Sequence, residues 1–381
     1  MTETDQGRIR LGMVGGGNDA FIGAVHRIAS RIDDRYELVA GALSSTPEKS
    51  RASGAALGLP RVYDDFKSMA MREARLKNGI DAVSIVTPNH VHYAAAREFL
   101  KRGIHVICDK PLTSNLADAK KLVKAAEQSD ALFILTHNYT GYPMVRQARE
   151  MVQNGDIGTI RVVQVEYPQD WLTEHQEFKQ AEWRTDPERS GAGGSTGDIG
   201  THAFNLACFV TNLNVESLAA DLQAFVPGRQ VDDNAHVMIR FEGGARGMLW
   251  SSQVAPGNEN ALRLRVYGDK GGLEWSQEDP NYLWYTPFGE PKRLITRNGA
   301  GAGDAAGRMS RVPPGHPEGY LEGFANIYTE AADAIIAKRD GSAAPDGLAY
   351  PTVRDGLRGV QFVAACVQSS KRNSAWVKID S

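Results

Sequence analysis

The chain has 381 residues, 42% of them hydrophobic and 23% charged, with a formal net charge of -3. That length exceeds what one core usually serves, so two domains are expected, and the near-neutral balance excludes a strong pull toward nucleic acid. Cys108, Cys208 and Cys366 are too few and too scattered for a disulfide framework or a structural zinc site, and no apolar run reaches the roughly 18 residues of a membrane span. The thiols are therefore read as buried, and the protein as cytoplasmic, without a metal and without a membrane partner.

Residues 8–138 alternate short β-branched runs with helical stretches, the pattern of a doubly wound parallel α/β sheet. The runs RIRLGMVGG, YELVAGALSS, IDAVSIVTP, IHVICDKP and ALFILTHN are read as its strands, with ligand loops at their ends. The first run enters Gly15-Gly16-Gly17-Asn18-Asp19-Ala20, a G-x-G-x-x-A turn, then Phe21, Ile22 and a helical stretch. Such a turn lets the backbone approach a pyrophosphate and aims helix N–H groups at it, so Gly15, Gly17, Ala20, Phe21 and Ile22 are assigned to a dinucleotide. The second run lacks the terminal acid that usually binds the adenosine ribose and ends instead in Ser44 and Ser45, with Lys49 and Arg51 beyond. The serines suit ribose hydroxyls or a 2′-phosphate, and the two cations suit a phosphate or a solvated helix face, so NAD is expected with NADP left open. Between the last two strands, SNLADAKKLVKAAEQ reads as a helix capped by Thr113 or Ser114.

Lys110, in CDKP at a strand end, can donate a hydrogen bond to a reacting oxygen and stabilise alkoxide charge, although an isolated lysine is more often a surface residue.

Residues 139–381 carry runs with two-residue alternation, TIRVVQVEY, NAHVMIRFEGGARGMLWSSQV and ALRLRVYG, with turns at EGGARG and GDKGG. They predict an α+β domain built on an antiparallel meander with one buried face. Asp198 and His202, four apart in GDIGTH, are expected on one helix face, where His202 can take a hydroxyl proton while Asp198 orients the substrate or steadies the imidazolium. A capping Asp beside a satisfied His, or one shared metal ion, are the alternatives, and no further ligand cluster accompanies the pair. The segment GAGAGDAAGRMSRVPPGHPEG is too long for a routine connection and is read as a loop near the site.

In their order and spacing, GMVGGGNDAFIGAVH, IVTPNHVHYAAA, CDKPL and GDIGTHAFNL resemble the Gfo/Idh/MocA oxidoreductases over nearly the whole chain, with Asp109 where that family usually has Glu. The resemblance implies hydride transfer, with Lys110, Asp198 and His202 as the catalytic group. It places the loop of Thr87, Pro88, Asn89 and His92 along the nucleotide, with Asp109, Lys110 and Asn138 among its contacts. It also implies that the second domain holds a large open, mainly antiparallel sheet, which buries itself in a dimer or tetramer. HNYTGYPM, YPQDWL, AEWRTDPERSGAGG and GHPEGY look most like the branch containing levoglucosan and scyllo-inositol dehydrogenases. Tyr139, Gln169, Asp170, Trp183, Arg184 and His316 join the catalytic group as expected substrate contacts, a mix of hydrogen-bonding groups and flat apolar surfaces suited to a sugar or polyol ring. Trp171 and Trp183 also read as packing aromatics, and Arg184 as an ion-pair partner of Asp186 or Glu188. The expectation is thus an NAD(P)-dependent dehydrogenase that oxidises a secondary hydroxyl of a cyclic polyol, sugar or anhydrosugar to a ketone. Its rivals are a glycoside-cleaving enzyme that oxidises the ring transiently and a non-catalytic NAD-binding sensor.

Overall fold

The computed structural model describes residues 7–18, 20–176 and 184–379. Six parallel strands, β1 (Ile9–Gly15), β2 (Tyr36–Ala42), β3 (Arg61–Val62), β4 (Ala82–Val86), β5 (His105–Cys108) and β6 (Phe133–Leu135), form one sheet in the order 3-2-1-4-5-6. β4 is buried along its whole length, as a strand covered by helices on both faces must be. The connecting helices are α1 (Phe21–Ile32), α2 (Pro47–Ala56), α3 (Phe66–Glu73), α4 (Asn89–Leu100) and α5 (Leu116–Glu127). Strand order reverses between β1 and β4, which opens a crevice beyond Gly15 and Val86. The two-residue β3 is too short to leave an alternation in the sequence. The cap of α5 is Asn115, whose side chain accepts the Asp118 N–H at 2.9 Å, rather than Thr113 or Ser114; the Thr113 hydroxyl donates to the Asn115 carbonyl instead.

The second sheet has nine strands: β7 (Ile160–Pro168), β8 (Val215–Gln223), β9 (Asn234–Phe241), β10 (Arg246–Ser252), β11 (Arg263–Gly268), β12 (Gly271–Ser276), β13 (Tyr282–Pro287), β14 (Arg293–Thr296) and β15 (Val377–Lys378). Their order is 14-13-12-11-7-10-9-8-15. The expected meander therefore exists twice, as β8–β10 and as β11–β14, and β7 joins the two. β7 runs parallel to β10 and antiparallel to β11, a pairing that alternation along one strand cannot reveal. Helices α6 (Pro143–Gln153) and α7 (Thr201–Thr211) pack on one face, burying Val163, Val165, Val237, Ile239 and Leu249 with Ala203 and Leu206. The other face leaves Val162, Met238 and Met248 exposed, with Met238 directly opposite Met248.

Two long helices escaped the sequence reading, α8 (Tyr320–Asp340) and α9 (Val353–Ser370). α8 lies on α1, with the Phe324 ring 5.1 Å from His26 and the Tyr36 hydroxyl donating to the Tyr328 carbonyl at 2.8 Å. Val353 and Val360 of α9 enter the core of the first sheet. That core thus draws side chains from far beyond residue 138.

The glycine- and proline-rich segment lies away from the site where it was expected. Buried Arg297 donates to the carbonyls of Val312, Pro313 and His316 at 2.8, 3.0 and 2.5 Å, and Arg311 pairs with Asp33 just past α1. The first arginine gathers three carbonyls of the segment and the second ties it to the end of α1.

Candidate active site

A cavity of about 1280 Å³ runs from the glycine turn to the second sheet. Gly15 and Gly16 adopt φ of +77° and +69°, a backbone that glycine takes without strain. A Cβ on Gly23 of α1 would sit 2.4 Å from the Gly16 Cα, so the close approach of helix and turn requires glycine there. Ala20 gives α1 no side-chain cap, which leaves first-turn N–H groups at Phe21 and Ile22, both on the cavity wall, for an anion. Farther along, Thr87 Oγ1 and Asn138 Nδ2 are buried polar atoms without a hydrogen-bond partner among the described residues, on residues that line the cavity. A dinucleotide fits this wall: it brings a pyrophosphate to the turn and polar groups to the two orphaned atoms. Gly23→Val is accordingly expected to weaken NADH binding by about tenfold or more, measured by fluorescence titration, because the turn must move.

The cofactor residues expected from sequence fall into two groups. Gly15, Gly17, Ala20, Phe21, Ile22, Ser44, Ser45, Lys49, Thr87, Pro88, Asn89, Asp109, Lys110 and Asn138 line the cavity. Arg51 does not; its guanidinium is engaged by Asp64 at 3.0 and 2.7 Å. His92 lies behind the wall, its ring nitrogens 2.9 Å from the Thr87 carbonyl and 2.7 Å from the Pro111 carbonyl. It ties the Thr87-Pro88 loop to the Lys110-Pro111 loop. Asp109 fixes the second loop from its other side, accepting the Lys110 N–H at 2.8 Å and the Thr136 hydroxyl at 3.2 Å.

Lys110, Asp198 and His202 meet on the wall of this cavity. Asp198 stands on a π turn (Thr196–Gly200) that runs into α7, so the regular i, i+4 stacking expected of the pair is altered. The Lys110 Nζ donates to Asp198 Oδ1 at 2.9 Å and to the Asp198 carbonyl at 2.5 Å. Arg184 Nε and Gln253 Nε2 both donate to Oδ2, at 3.1 and 3.0 Å. Burial works against charge on this carboxyl, but Lys110 and Arg184 outweigh it and hold Asp198 well below the usual carboxylate range. Asp198 is therefore ionised and bonded to the Lys110 ammonium, on the cavity wall.

His202 packs edge-on to Tyr139, ring centroids 4.8 Å apart, and to His137 at 5.6 Å. Its Nδ1 is buried without a partner among the described residues, which leaves Nε2 as the nitrogen able to exchange a proton with the cavity. Burial first, then the positive charge of Lys110, pushes this imidazole well below its ordinary pKa. His202 is thus held in its neutral form. Among the described residues no group of three His, Cys, Asp or Glu side chains is placed to hold a metal ion.

Beyond this trio the cavity ends in a neutral polar wall. The Tyr139 and Tyr167 hydroxyls lie 2.5 Å apart, and Asn260 Oδ1 accepts from Tyr167 and from Gln169, each at 2.7 Å. Asn260 donates in turn to Gln277 at 2.9 Å, while Trp171 donates to Gln169 at 2.9 Å. Of the expected substrate contacts, Tyr139, Gln169 and Arg184 are here with Lys110, Asp198 and His202. Asp170 instead accepts the Gly257 N–H at 3.1 Å, His316 lies in the pinned loop, and Trp183 lies outside the described residues. Sequence reasoning missed Tyr167, Gln253, Asn260, Gln277 and Tyr320. Gln253 and Gln277 directly follow β10 and β12, and a polar residue at a strand end was the available signal.

Residues 9–137 match the model of an oxidoreductase family with an NAD-binding Rossmann fold, and residues 145–274 match the GFO/IDH/MocA C-terminal domain. The chain is 71% identical to an oxidoreductase from Sinorhizobium meliloti, with a TM-score of 0.91 over 98% of this chain and 100% of that one. An inositol dehydrogenase homologue from Azotobacter vinelandii, crystallised with NADH and myo-inositol, is 36% identical with a TM-score of 0.92, covering 98% of each chain. Levoglucosan dehydrogenase of Pseudarthrobacter phenanthrenivorans is 26% identical, covering 97% of this chain and 98% of its own.

Proposed function

We propose that this chain, which belongs to the Gfo/Idh/MocA oxidoreductase family, is an NAD-dependent dehydrogenase that oxidises a secondary hydroxyl of a neutral cyclic polyol to a ketone. The observation that carries this reading is the pairing of a cation and a neutral base on one cavity wall: the Lys110 ammonium, steadied by Asp198, beside an imidazole that burial keeps unprotonated. A hydroxyl between them can lose its proton to His202 Nε2 while Lys110 donates a hydrogen bond to the oxygen as it becomes negative. Bound NAD supplies the hydride acceptor. The glycine turn, Thr87 and Asn138 would hold that cofactor. In the direction of ketone reduction the same imidazole gives the proton back.

The neutrality of the substrate is read from the far wall, whose polar side chains are uncharged. Lys110 and Arg184 both bond the carboxylate of Asp198, and the far wall offers Tyr139, Tyr167, Gln169, Asn260 and Gln277. Such a wall hydrogen-bonds several ring hydroxyls and repays poorly the desolvation of a phosphate or carboxylate. Similarity to the homologue crystallised with myo-inositol favours an inositol-like ring over an anhydrosugar. The test is absorbance at 340 nm with NAD and a panel of inositols, aldoses, levoglucosan and glucose 6-phosphate. Neutral rings are expected to be turned over at least about tenfold more efficiently than the phosphorylated sugar; turnover of the phosphorylated sugar alone would overturn the assignment.

The pH dependence has a definite sign. His202 must be neutral to accept a proton, and its folded-state pKa is lowered, so the base form persists as pH falls through the ordinary imidazole value of about 6.5. The acid limb of kcat/KM for polyol oxidation should therefore lie below that value. A limb centred at 6.5 would show that His202 is not the base.

The open face of the nine-stranded sheet, with Met238 against Met248, supports self-association of two or more copies through that face. Light scattering should then report a dimer or tetramer, and Met238→Asp should dissociate it; a wild-type monomer at micromolar concentration would contradict this.

A further inference from the structure

We infer that Asp64, which follows β3, sets the coenzyme choice by excluding a 2′-phosphate; the inference rests on the coenzyme half of the functional reading. β2 ends without the carboxylate that ordinarily receives ribose hydroxyls, because Ser44, Ser45 and Thr46 follow it. β3 pairs with β2 in parallel, Ala40 opposite Arg61 and Gly41 opposite Val62, so the chain leaves β3 beside the end of β2. Asp64 and Asp65 line the same cavity as Ser44, Ser45 and Lys49.

The two acids are used differently. Asp65 caps α3, accepting the Ser68 N–H at 2.8 Å and the Ser68 hydroxyl at 2.7 Å. Asp64 faces Arg51, which donates from Nε to Oδ1 at 3.0 Å and from Nη2 to Oδ2 at 2.7 Å. One carboxylate thereby does two things. It stands at the rim where the strand-end acid is missing, and it engages a guanidinium whose planar fork would otherwise match a phosphate. A 2′-phosphate, carrying about -1.5 to -2 charges, meets two carboxylates and Lys49, with Arg51 already engaged. A 2′-hydroxyl meets acceptors to which it can donate. Coenzyme selection thus sits on the β3–α3 connection rather than at the end of β2.

The experiment titrates the full-length protein with NADH and with NADPH, without substrate, and reads energy transfer from tryptophan to the dihydronicotinamide. The wild type is expected to bind NADH at least about tenfold more tightly than NADPH, and Asp64→Ala to lower that ratio by about tenfold or more. Adding Arg51→Ala to Asp64→Ala should restore the part of the ratio that depends on the released guanidinium, leaving the part that depends on the Asp64 charge itself. A ratio unmoved by Asp64→Ala overturns the inference, as does a double variant as permissive as the single one, or a wild type that prefers NADPH. The pair is largely exposed, with side-chain accessibilities of 61% and 47%, so neither substitution threatens the fold. Selective binding that tracks Asp64 supports the inference even where no ring polyol is turned over, an outcome that would count against the dehydrogenase reading alone.

Discussion

Lys110→Met is expected to lower kcat by about 10³-fold while the protein stays folded and still binds NADH. In the proposed reaction the side chain supplies the hydrogen bond to the oxygen on which charge develops, and methionine keeps the bulk without the donor. Asp198 retains Arg184 and Gln253 as partners, so the substitution does not strand a bare buried carboxylate. A second consequence separates this role from mere damage. After burial, the charge of Lys110 is the largest influence keeping His202 unprotonated. Its removal should move the acid limb of the residual activity upward, toward the ordinary imidazole value. Lys110→Arg should not rescue, since a forked guanidinium cannot replace a point donor in the same space. Turnover within tenfold of wild type in Lys110→Met would remove Lys110 from the chemistry.

Glu330→Gln is expected to be the most destabilising single change away from the site. Arg146 and Glu330 are 3% and 1% exposed, and they form two hydrogen bonds at 3.0 and 2.8 Å, with Arg308 adding a third at 3.0 Å. The pair joins α6 of the second domain to α8, which itself rests on the first sheet, and through Arg308 it anchors the glycine-rich loop. Neutralising Glu330 leaves the Arg146 charge buried without a counter-ion, at a cost of about 3–5 kcal/mol. The urea midpoint of the first unfolding transition should fall clearly, and by more than in Arg308→Ala, because Arg308 can reach water. Replacing both partners, Arg146→Met with Glu330→Leu, should be milder than Glu330→Gln, since no orphaned charge remains. A double replacement as damaging as the single one would contradict this ordering.

Much of the first domain was legible because its signals are local. Five of its six strands announce themselves as β-branched runs, and the glycine turn is a contiguous string whose backbone needs are written residue by residue. Lys110, Asp198 and His202, which share the cavity, were singled out by short strings with a definite order. What failed to show was long-range. α8 and α9 complete the core of the first sheet from residues 320–370, and nothing in the first 138 residues announces that need. The parallel pairing of β7 with β10 is a choice of neighbour, invisible in the alternation of either strand. Tyr167, Asn260 and Gln277 are close only after β7, β11 and β12 align side by side. The glycine-rich segment was misplaced because composition marks a loop without saying where arginines will hold it, and Arg297, Arg308 and Arg311 hold it away from the cavity. Arg51 stayed open between a phosphate ligand and a solvated helix face because Asp64, thirteen residues on, could not be seen facing it.

Asp198 was legible only in part for a related reason. Spacing alone offers it to the substrate or the imidazole and does not show that its two oxygens also receive Lys110, Arg184 and Gln253. Its part is to hold the ammonium in place, and the π turn that carries it brings its backbone carbonyl to the same Nζ.

The most direct test of the central claim counts products with myo-inositol deuterated at its ring carbons, NAD and the purified protein. The account predicts one deuterated NADH for each ring ketone formed, with the six-carbon ring intact and a primary isotope effect on the chemical step. Consumption of a glycoside by bond cleavage without net NADH, or coenzyme binding with no turnover of any neutral ring, would contradict it.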